Sequence, residues 1–155
     1  MGSYKDLIVW KESRTLKDMV YEMVQSFPRE EIYCLSSQMR RAVISIGSNI
    51  AEGAGRGSNR DYIHFLYIAR GSAYEIETQT IYADDLHFLT PLQSKELHHQ
   101  ISKVIYLINK LIAAMENNVS YGTRENVKPY GIFESQPEKL ESPEDLEQAV
   151  KEVYI

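Results

Sequence analysis

The 155-residue sequence has almost no cysteine, no long apolar run and no excess of basic residues. Its single cysteine, Cys34, excludes an internal disulfide bond and a zinc site built from several cysteines. No stretch approaches the roughly 18 consecutive apolar residues of a membrane span, and the N-terminus lacks the hydrophobic region of a signal peptide. These absences predict a cytoplasmic protein that makes no contact with a membrane.

The net charge of -5 is distributed unevenly along the chain. Residues 1–117 contain 13 lysines and arginines against 14 aspartates and glutamates, whereas residues 118–155 contain 4 against 8. Nucleic-acid-binding domains usually show a basic excess, so the overall charge does not predict nucleic-acid binding. The distribution instead divides the chain into a nearly neutral body, 1–117, and an acidic C-terminal tail, 118–155.

Four segments of the body carry apolar residues at alternating steps of four and three, which is typical of helices packed along a coiled-coil-like seam. The seam positions are Val9, Ser13, Leu16, Val20, Met23 and Phe27 in the first segment, Met39, Val43, Ile46, Ile50 and Gly53 in the second, Tyr62, Leu66, Ala69, Ala73, Ile76, Thr80, Ala83 and His87 in the third, and Leu97, Ile101, Val104, Ile108, Leu111 and Met115 in the fourth.

Residues that favour helix N-termini precede three of these segments. The predicted caps are Ser36 or Ser37, Ser58 with Asp61, and Thr90 with Gln93. Short connections between long helices make neighbouring helices antiparallel. The sequence therefore predicts an all-α fold, an antiparallel up-down-up-down four-helix bundle with a C-terminal extension that ends in a short helix.

The stretch SNIAEGAGRGSNRDY, residues 48–62, has alternating glycines that suggest a phosphate-binding loop. A dinucleotide fingerprint requires a strand before the glycines and a third glycine where Ser58 stands, and a P-loop requires a lysine that is absent. We therefore interpret the stretch as a turn between helices. Gly53 is expected to end the second helix, and Gly55 and Gly57 to allow positive φ in the turn.

Metal and catalytic sites are not predicted, although three carboxylate–histidine pairs have the spacing of di-metal bundles. These pairs are Asp61 with His64, Asp84 with His87, and Glu96 with His99. Metal ligands in a bundle must point inward, and only His87 falls on a seam. His98 and His99 are expected to be solvated, and Cys34 has no histidine nearby in sequence. We expect no cofactor and no enzymatic activity.

The third helix carries more large apolar residues than one seam requires. Its additional stripe consists of Ile63, Tyr67, Tyr74 and Ile81, with Arg70 and Glu77 among them, and the fourth helix adds Ile105 and Ile112. This pattern indicates either a broad core face or a second face buried against another subunit, and we favour the subunit contact. Gly71, in mid-helix, costs about 1 kcal/mol relative to alanine, which indicates close approach of another helix or contact with a ligand.

The run QMRRAVISIGSNIAEGAGRGSNRDYIHFLYIARGSAYEIETQ, residues 38–79, resembles the small four-helix-bundle proteins encoded within bacterial 23S ribosomal RNA intervening sequences. The similarity extends over about residues 4–115. The motifs that carry it are Arg40-Arg41-Ala42, Ser45-Ile46, Asn49-Ile50-Ala51-Glu52-Gly53, Arg56, and Gly71-Ser72 with Glu75 and Glu77. The resemblance implies a ring-like homopentamer without catalytic activity. It also implies a distant similarity to the accessory variability proteins of diversity-generating retroelements, which work with a reverse transcriptase and its RNA.

Five arginines are candidates for contact with RNA if the resemblance extends to that function. They are Arg40, Arg41, Arg56, Arg60 and Arg70. The accessory variability proteins are strongly basic, whereas the body of this chain is nearly neutral. For each arginine the alternative role is a salt bridge within or between subunits. Glu52 is expected in the last turn of the second helix, where the helix dipole disfavours an anion, so Arg56 or Arg60 is expected to pair with it.

The tail carries one helical pattern, at about 143–153, after the start signal Ser142-Pro143. Its apolar stripe consists of Leu146, Ala149, Val150 and Val153. A helix of about eleven residues is marginal alone in water, so it docks on the bundle, on a neighbouring subunit or on a separate partner, or else does not form. Two functions follow. We favour an oligomeric adaptor for an RNA or reverse-transcriptase complex, and the alternative is a protein-interaction scaffold that uses the tail helix.

Overall fold

The computed structural model describes residues 3–120, with side chains to residue 117, and shows an all-α antiparallel four-helix bundle. The predicted tail helix at 143–153, with Leu146, Ala149, Val150 and Val153, lies outside the described residues. The four helices are α1 (Ile8–Met23), α2 (Leu35–Ala54), α3 (Asn59–Asp85) and α4 (Pro91–Ser120). Short 3-10 turns cover Tyr4–Asp6, Val24–Ser26 and Arg29–Tyr33. The last helix therefore runs three residues beyond the predicted end of the body at 117.

Side-chain contacts show the antiparallel arrangement of α2 with α3. The hydroxyl of Ser72, in the middle of α3, donates to the hydroxyl of Ser45, in the middle of α2, at 2.8 Å. Gly53, in the last turn of α2, packs against Tyr62 in the first turn of α3. Small side chains at the α3 seam, including Ala69 and Ala73, are completely buried and let the two helix backbones come close.

Polar contacts join α4 to both of its neighbours. At one end of the bundle, Ser94 donates to Asp84 at 2.9 Å, and at the other end Tyr67 donates to Glu116 at 2.6 Å. On the opposite side of α4, the amide of Gln100 donates to Glu12 of α1 at 2.7 Å. The four helices therefore alternate in direction, as the short connections predicted.

The predicted seams form the core, and every seam residue except His87 is buried. The prediction for His87 is wrong because α3 ends two residues earlier, at Asp85. His87 is exposed and has a left-handed backbone with φ of 57°. This reversal of the chain direction turns Phe88 onto Phe27, with the two ring centroids 5.2 Å apart.

The fourth helix has a broad core face and no separate second face at its additional isoleucines. Ile112 is only 4% exposed and belongs to the core, and Ile105 is half-buried against it. The subunit-contact interpretation is therefore wrong for these two residues. A width greater than that of a single seam is ordinary for a helix packed between two neighbours.

Two of the three predicted helix caps are confirmed. Ser58 accepts from the backbone N–H of Asp61 at 3.1 Å, and Thr90 and Gln93 cap each other reciprocally. The third prediction, Ser36 or Ser37, is wrong because α2 already begins at Leu35. There the carboxylate of Glu31, in the preceding 3-10 turn, accepts from the first backbone N–H of α2 at 3.1 Å.

The glycines between α2 and α3 have different roles from those predicted. Gly53 lies inside α2, which ends at Ala54, and a Cβ atom on it would come within 2.7 Å of Tyr62 Cδ2 and 2.8 Å of Phe65 Cβ. Neither Gly55, with φ of -82°, nor Gly57 has a left-handed backbone. The glycine that the fold requires here is Gly53, because only a residue without a side chain permits this contact.

No helix within residues 3–120 combines the length and the apolar character that a membrane crossing requires.

Candidate interaction surfaces

The outer face of α3 exposes a row of large apolar side chains. We define this outer face as Tyr67, Ile68, Gly71, Tyr74, Ile81 and Tyr82. Tyr74, Ile81 and Tyr82 are 47%, 46% and 53% exposed, and their spacing places all three on one side of α3. Tyrosine and isoleucine grouped in this way are typical of surfaces that bind another protein.

The structure separates the six residues predicted for a subunit contact into two groups. Tyr67, Tyr74 and Ile81 are exposed on the outer face. Arg70 and Glu77 are half-buried along its edge, and Ile63 is half-buried against the protein's own core. The exposed part of the predicted stripe is therefore narrower than the sequence pattern indicated.

Gly71 lies in the middle of the outer face and is exposed. A Cβ atom built on it would meet nothing within 4 Å, so no helix of the same bundle approaches it closely. The predicted close approach to Gly71 is therefore absent within residues 3–117. The destabilising effect of a glycine in mid-helix has no compensation in the described part of this chain.

One edge of the outer face is fixed to α4 by polar contacts. Tyr67 donates to Glu116, and the guanidinium group of Arg70 donates to Asn109 at 3.1 Å and lies 4.7 Å from the centroid of the Tyr67 ring. Partial burial and the hydrogen bond to Glu116 raise the pKa of Tyr67 above its ordinary value of 10.0. These contacts hold both side chains in fixed positions.

The remaining candidate arginines form two groups at opposite ends of α2. Arg40 lies 5.7 Å from the centroid of the Tyr21 ring, and Arg41, beside it, is exposed. At the other end, Arg56 pairs with Glu52, as expected, and lies 4.8 Å from the centroid of the Phe65 ring. Arg60 is exposed in the first turn of α3.

Arg41 and Arg60 are the two candidates whose guanidinium groups form no ion pair, hydrogen bond or ring contact within residues 3–117. The others each have a contact inside the protomer that accounts for them. The structure thus leaves one accessible cation near each end of α2. They are separated by about 25 Å along the bundle, because α2 spans most of that distance at 1.5 Å per residue.

A groove of about 290 Å³ between α1 and α2 was missed by the sequence reasoning. We call it the α1–α2 groove. Trp10, Arg14 and Lys17 line it from α1, and Ile44 and Gly47 line it from α2. It exists because two small residues, Ser13 and Gly47, face each other at its floor, with the Ser13 hydroxyl 3.2 Å from where a Gly47 Cβ would lie. That pair of small residues was the available sequence signal.

The described residues offer no arrangement that we recognise as a metal or catalytic centre. No group of three or more histidine, cysteine, aspartate or glutamate side chains within residues 3–117 could hold a metal ion. His98, expected to be solvated, instead contacts Asp84 at 2.9 Å, and Ser94 donates to the same carboxylate oxygen. The serine and the histidine thus both bind the aspartate, and this arrangement ties the start of α4 to the end of α3.

Comparisons with known proteins agree with this architecture. The model of the family described as 23S rRNA-intervening sequence protein matches residues 5–110. A crystal structure of a protein of unknown function from the S23 ribosomal protein family, from Bacteroides thetaiotaomicron VPI-5482, is similar in fold, with a TM-score of 0.62 and 23% sequence identity. The similarity covers 68% of this chain and 98% of that one. No curated protein matches the sequence.

Proposed function

The chain belongs to the 23S rRNA-intervening sequence protein family, and we propose that it is a non-enzymatic adaptor that assembles into a ring-like homopentamer and supports an RNA or reverse-transcriptase complex. The assembly buries the outer face of α3 against a neighbouring subunit. The RNA contacts come from arginines that the ring repeats around its axis.

The observation that carries the proposal is the exposed glycine within a row of exposed apolar side chains. Gly71 has open space above it, with Tyr67 and Tyr74 one turn to either side along the helix. A glycine at such a position allows another backbone to approach closely, and tyrosines beside it supply the apolar area of a contact. We take the partner to be a second copy of the chain, because other copies are always present wherever the protein is made.

A ring requires two different surfaces on each subunit, because a head-to-tail contact joins unlike faces. The outer face of α3 supplies one of them. Closed rings of this type remove exposed apolar surface from every subunit equally. The proposal therefore also accounts for why so much of α3 is apolar on two sides.

The RNA contribution of the proposal rests on accessible cations and not on overall charge. Arg41 and Arg60 are exposed and lack an ion pair within residues 3–117. A homopentamer would present each of them five times, which concentrates positive charge although the body is nearly neutral. Clustered arginines of this kind bind phosphate groups, and their binding weakens as salt is added.

Charge reversal at these two arginines tests the RNA function. Arg41→Glu and Arg60→Glu are made separately, with Lys95→Glu as the matched control at an exposed position on α4. Retention of bacterial 23S rRNA is measured by filter binding at several salt concentrations. Each arginine variant is expected to weaken binding and to lower the salt slope by about one unit per lost phosphate contact in each subunit that binds, while the control matches the parent.

Absence of RNA binding by the parent protein would contradict the RNA function, as would equal binding by all three variants. Light scattering on each variant verifies that the assembly is intact, so that a loss of binding reports on the arginine itself. A second result would favour the scaffold function that uses the tail over the adaptor function. In it, the parent binds no RNA, and the proteins that copurify with the parent no longer do so after deletion of 118–155.

A further inference from the structure

We propose that the acidic segment 143–153 of the tail docks, as a helix, into the α1–α2 groove of its own chain. The proposal concerns a surface and a segment that lie apart from the outer face of α3. It does not depend on RNA binding.

The α1–α2 groove presents apolar surface that nothing within residues 3–117 covers. Ile44 is 47% exposed on its α2 wall, and Trp10 is half-buried on its α1 wall. The groove is deep between them because Gly47 and Ser13 are small. An apolar groove between two neighbouring helices accepts the apolar face of an amphipathic helix.

Basic side chains line this groove on its α1 wall. Arg14 lies over the Trp10 ring at 5.2 Å and forms no ion pair within residues 3–117. Lys17, one turn further along α1, pairs with Asp18. On α2, Arg40 and Arg41 lie one turn before Ile44, beyond the residues that line the groove. The groove is therefore positively charged at its rim, although the body as a whole is not.

Segment 143–153 has the complementary chemistry. It contains four acidic residues and one lysine, and its apolar stripe consists of Leu146, Ala149, Val150 and Val153. On a helix, Asp145 and Glu152 lie on one side of this stripe and Glu147 lies on the other. The flank with Asp145 and Glu152 is thus negative and complements the basic α1 rim of the groove, whereas on the other flank Lys151 lies one turn after Glu147.

The position of the end of α4 makes docking within one chain feasible. Because α4 is antiparallel to α1, its last residues lie toward the end of the bundle where α1 begins, which is also the Trp10 end of the groove. The 22 residues between Ser120 and Pro143 can span up to about 70 Å when extended. The bundle itself is about 40 Å long, judged from the 27 residues of α3.

Docking within the chain also explains how so short a helix gains stability. A flexible connection of this length holds the segment at a local concentration on the order of millimolar. Apolar burial and opposite charges then stabilise a helix that is marginal alone. The same contact covers the exposed surface of Trp10 and Ile44.

Fluorescence of Trp10 tests the proposal directly, because Trp10 is the only tryptophan in the chain. The test variant is Leu146→Asp with Val150→Asp in the full chain, and the matched control is Val127→Asp with Ile132→Asp, the same chemical change between α4 and the segment. In the test variant the Trp10 emission is expected to shift to longer wavelength and its quenching by acrylamide to increase. The control is expected to match the parent.

A peptide of residues 141–155 completes the experiment. Added to the test variant, it is expected to reverse the emission shift, with an affinity that falls as salt increases and that Lys17→Glu weakens while Lys95→Glu does not. These results would support occupation of the groove by the segment.

Three outcomes would overturn the proposal. Identical emission and quenching in the parent and the test variant would show that the segment does not cover Trp10. Loss of the protection of Trp10 on dilution of the parent would assign the groove to a second copy of the chain. Loss of the protection on nuclease treatment of the parent would assign it to bound RNA.

Discussion

Gly53 illustrates how a single missing side chain sets the distance between two helices. Its backbone lies against Tyr62 and Phe65, and an added Cβ atom would come within 3 Å of both side chains. The alternation of glycines in the sequence did not distinguish Gly53 from Gly57, because each is adjacent to a turn. Only the packing of α2 on α3 identifies which of them is required.

We therefore predict that Gly53→Ala lowers the free energy of unfolding by about 1–3 kcal/mol, the usual cost of overpacking a core. Gly57→Ala is the control, because a Cβ atom at Gly57 would meet nothing within 4 Å. Urea denaturation followed by circular dichroism measures both changes. Equal stability of the two variants would show that α2 and α3 do not pack closely at Gly53.

Glu12 is the residue through which acid should destabilise the bundle. Burial acts to raise its pKa, but hydrogen bonds from Lys103 and Gln100, together with the charge of Lys103, outweigh burial and hold the pKa below its ordinary value of 4.5. A carboxyl group whose pKa is lower in the folded than in the unfolded chain stabilises the fold above the unfolded pKa. This stabilisation is lost as the pH falls through the folded pKa.

The second prediction is that Glu12→Gln lowers stability at neutral pH and flattens the loss of stability below about pH 4.5. The urea midpoint measured between pH 7 and pH 3.5 tests it, with Glu96→Gln, the same change at an exposed position on α4, as the control. Parallel profiles for the parent and Glu12→Gln would show that the contacts with Lys103 and Gln100 do not contribute.

At the scale of whole helices, the sequence predicted the buried seams, which depend on the helical period, but not all of the residues at which the helices begin and end. The four seams were predicted because a buried stripe must recur every 3.5 residues whatever its neighbours are. The start of α2 was not predicted, because its first N–H is satisfied by Glu31 in a preceding turn and not by a serine cap. Likewise, the end of α3 depends on how Phe88 packs on Phe27, which no local pattern encodes.

The two faces of α3 show the same limit. The sequence indicated a second apolar stripe, but it could not tell that Ile63 packs on the core while Tyr74 and Ile81 are exposed. The α1–α2 groove was missed for a related reason. Its existence depends on two small residues that lie far apart in sequence and face each other only after folding.

Gly71 provides the prediction that belongs to α3. Because Gly71 is exposed in mid-helix with open space around it, Gly71→Ala should stabilise the separate bundle by about 0.5–1 kcal/mol. If the outer face packs closely on a neighbouring subunit, the same methyl group should weaken the assembly. The two effects have opposite signs and are measured separately.

The stabilisation of the separate bundle is measured in a dissociated variant, Tyr74→Glu with Ile81→Glu. Urea denaturation compares this variant with and without Gly71→Ala. Light scattering on the otherwise unchanged chain, diluted over a range of concentrations, gives the second. Stabilisation without any loss of assembly would mean that Gly71 lies outside the subunit contact.

At the scale of the whole molecule, charge and apolar surface are divided between regions of the chain. The body is nearly neutral, the tail is acidic, and the accessible cations lie near the two ends of α2 and along the α1–α2 groove. Neither the overall charge nor the fold alone indicates a function. The exposed apolar face of α3 is the feature from which assembly, and with it the adaptor function, is inferred.

The most direct test of this account is the native mass of the parent protein, measured by light scattering at micromolar concentration. We predict about five times the chain mass of 17.9 kDa. Tyr74→Glu with Ile81→Glu should give a folded 17.9 kDa particle, whereas Tyr106→Glu with Leu92→Glu, comparable changes at exposed positions on α4, should keep the parent mass. A parent protein that is itself a 17.9 kDa monomer would contradict the account.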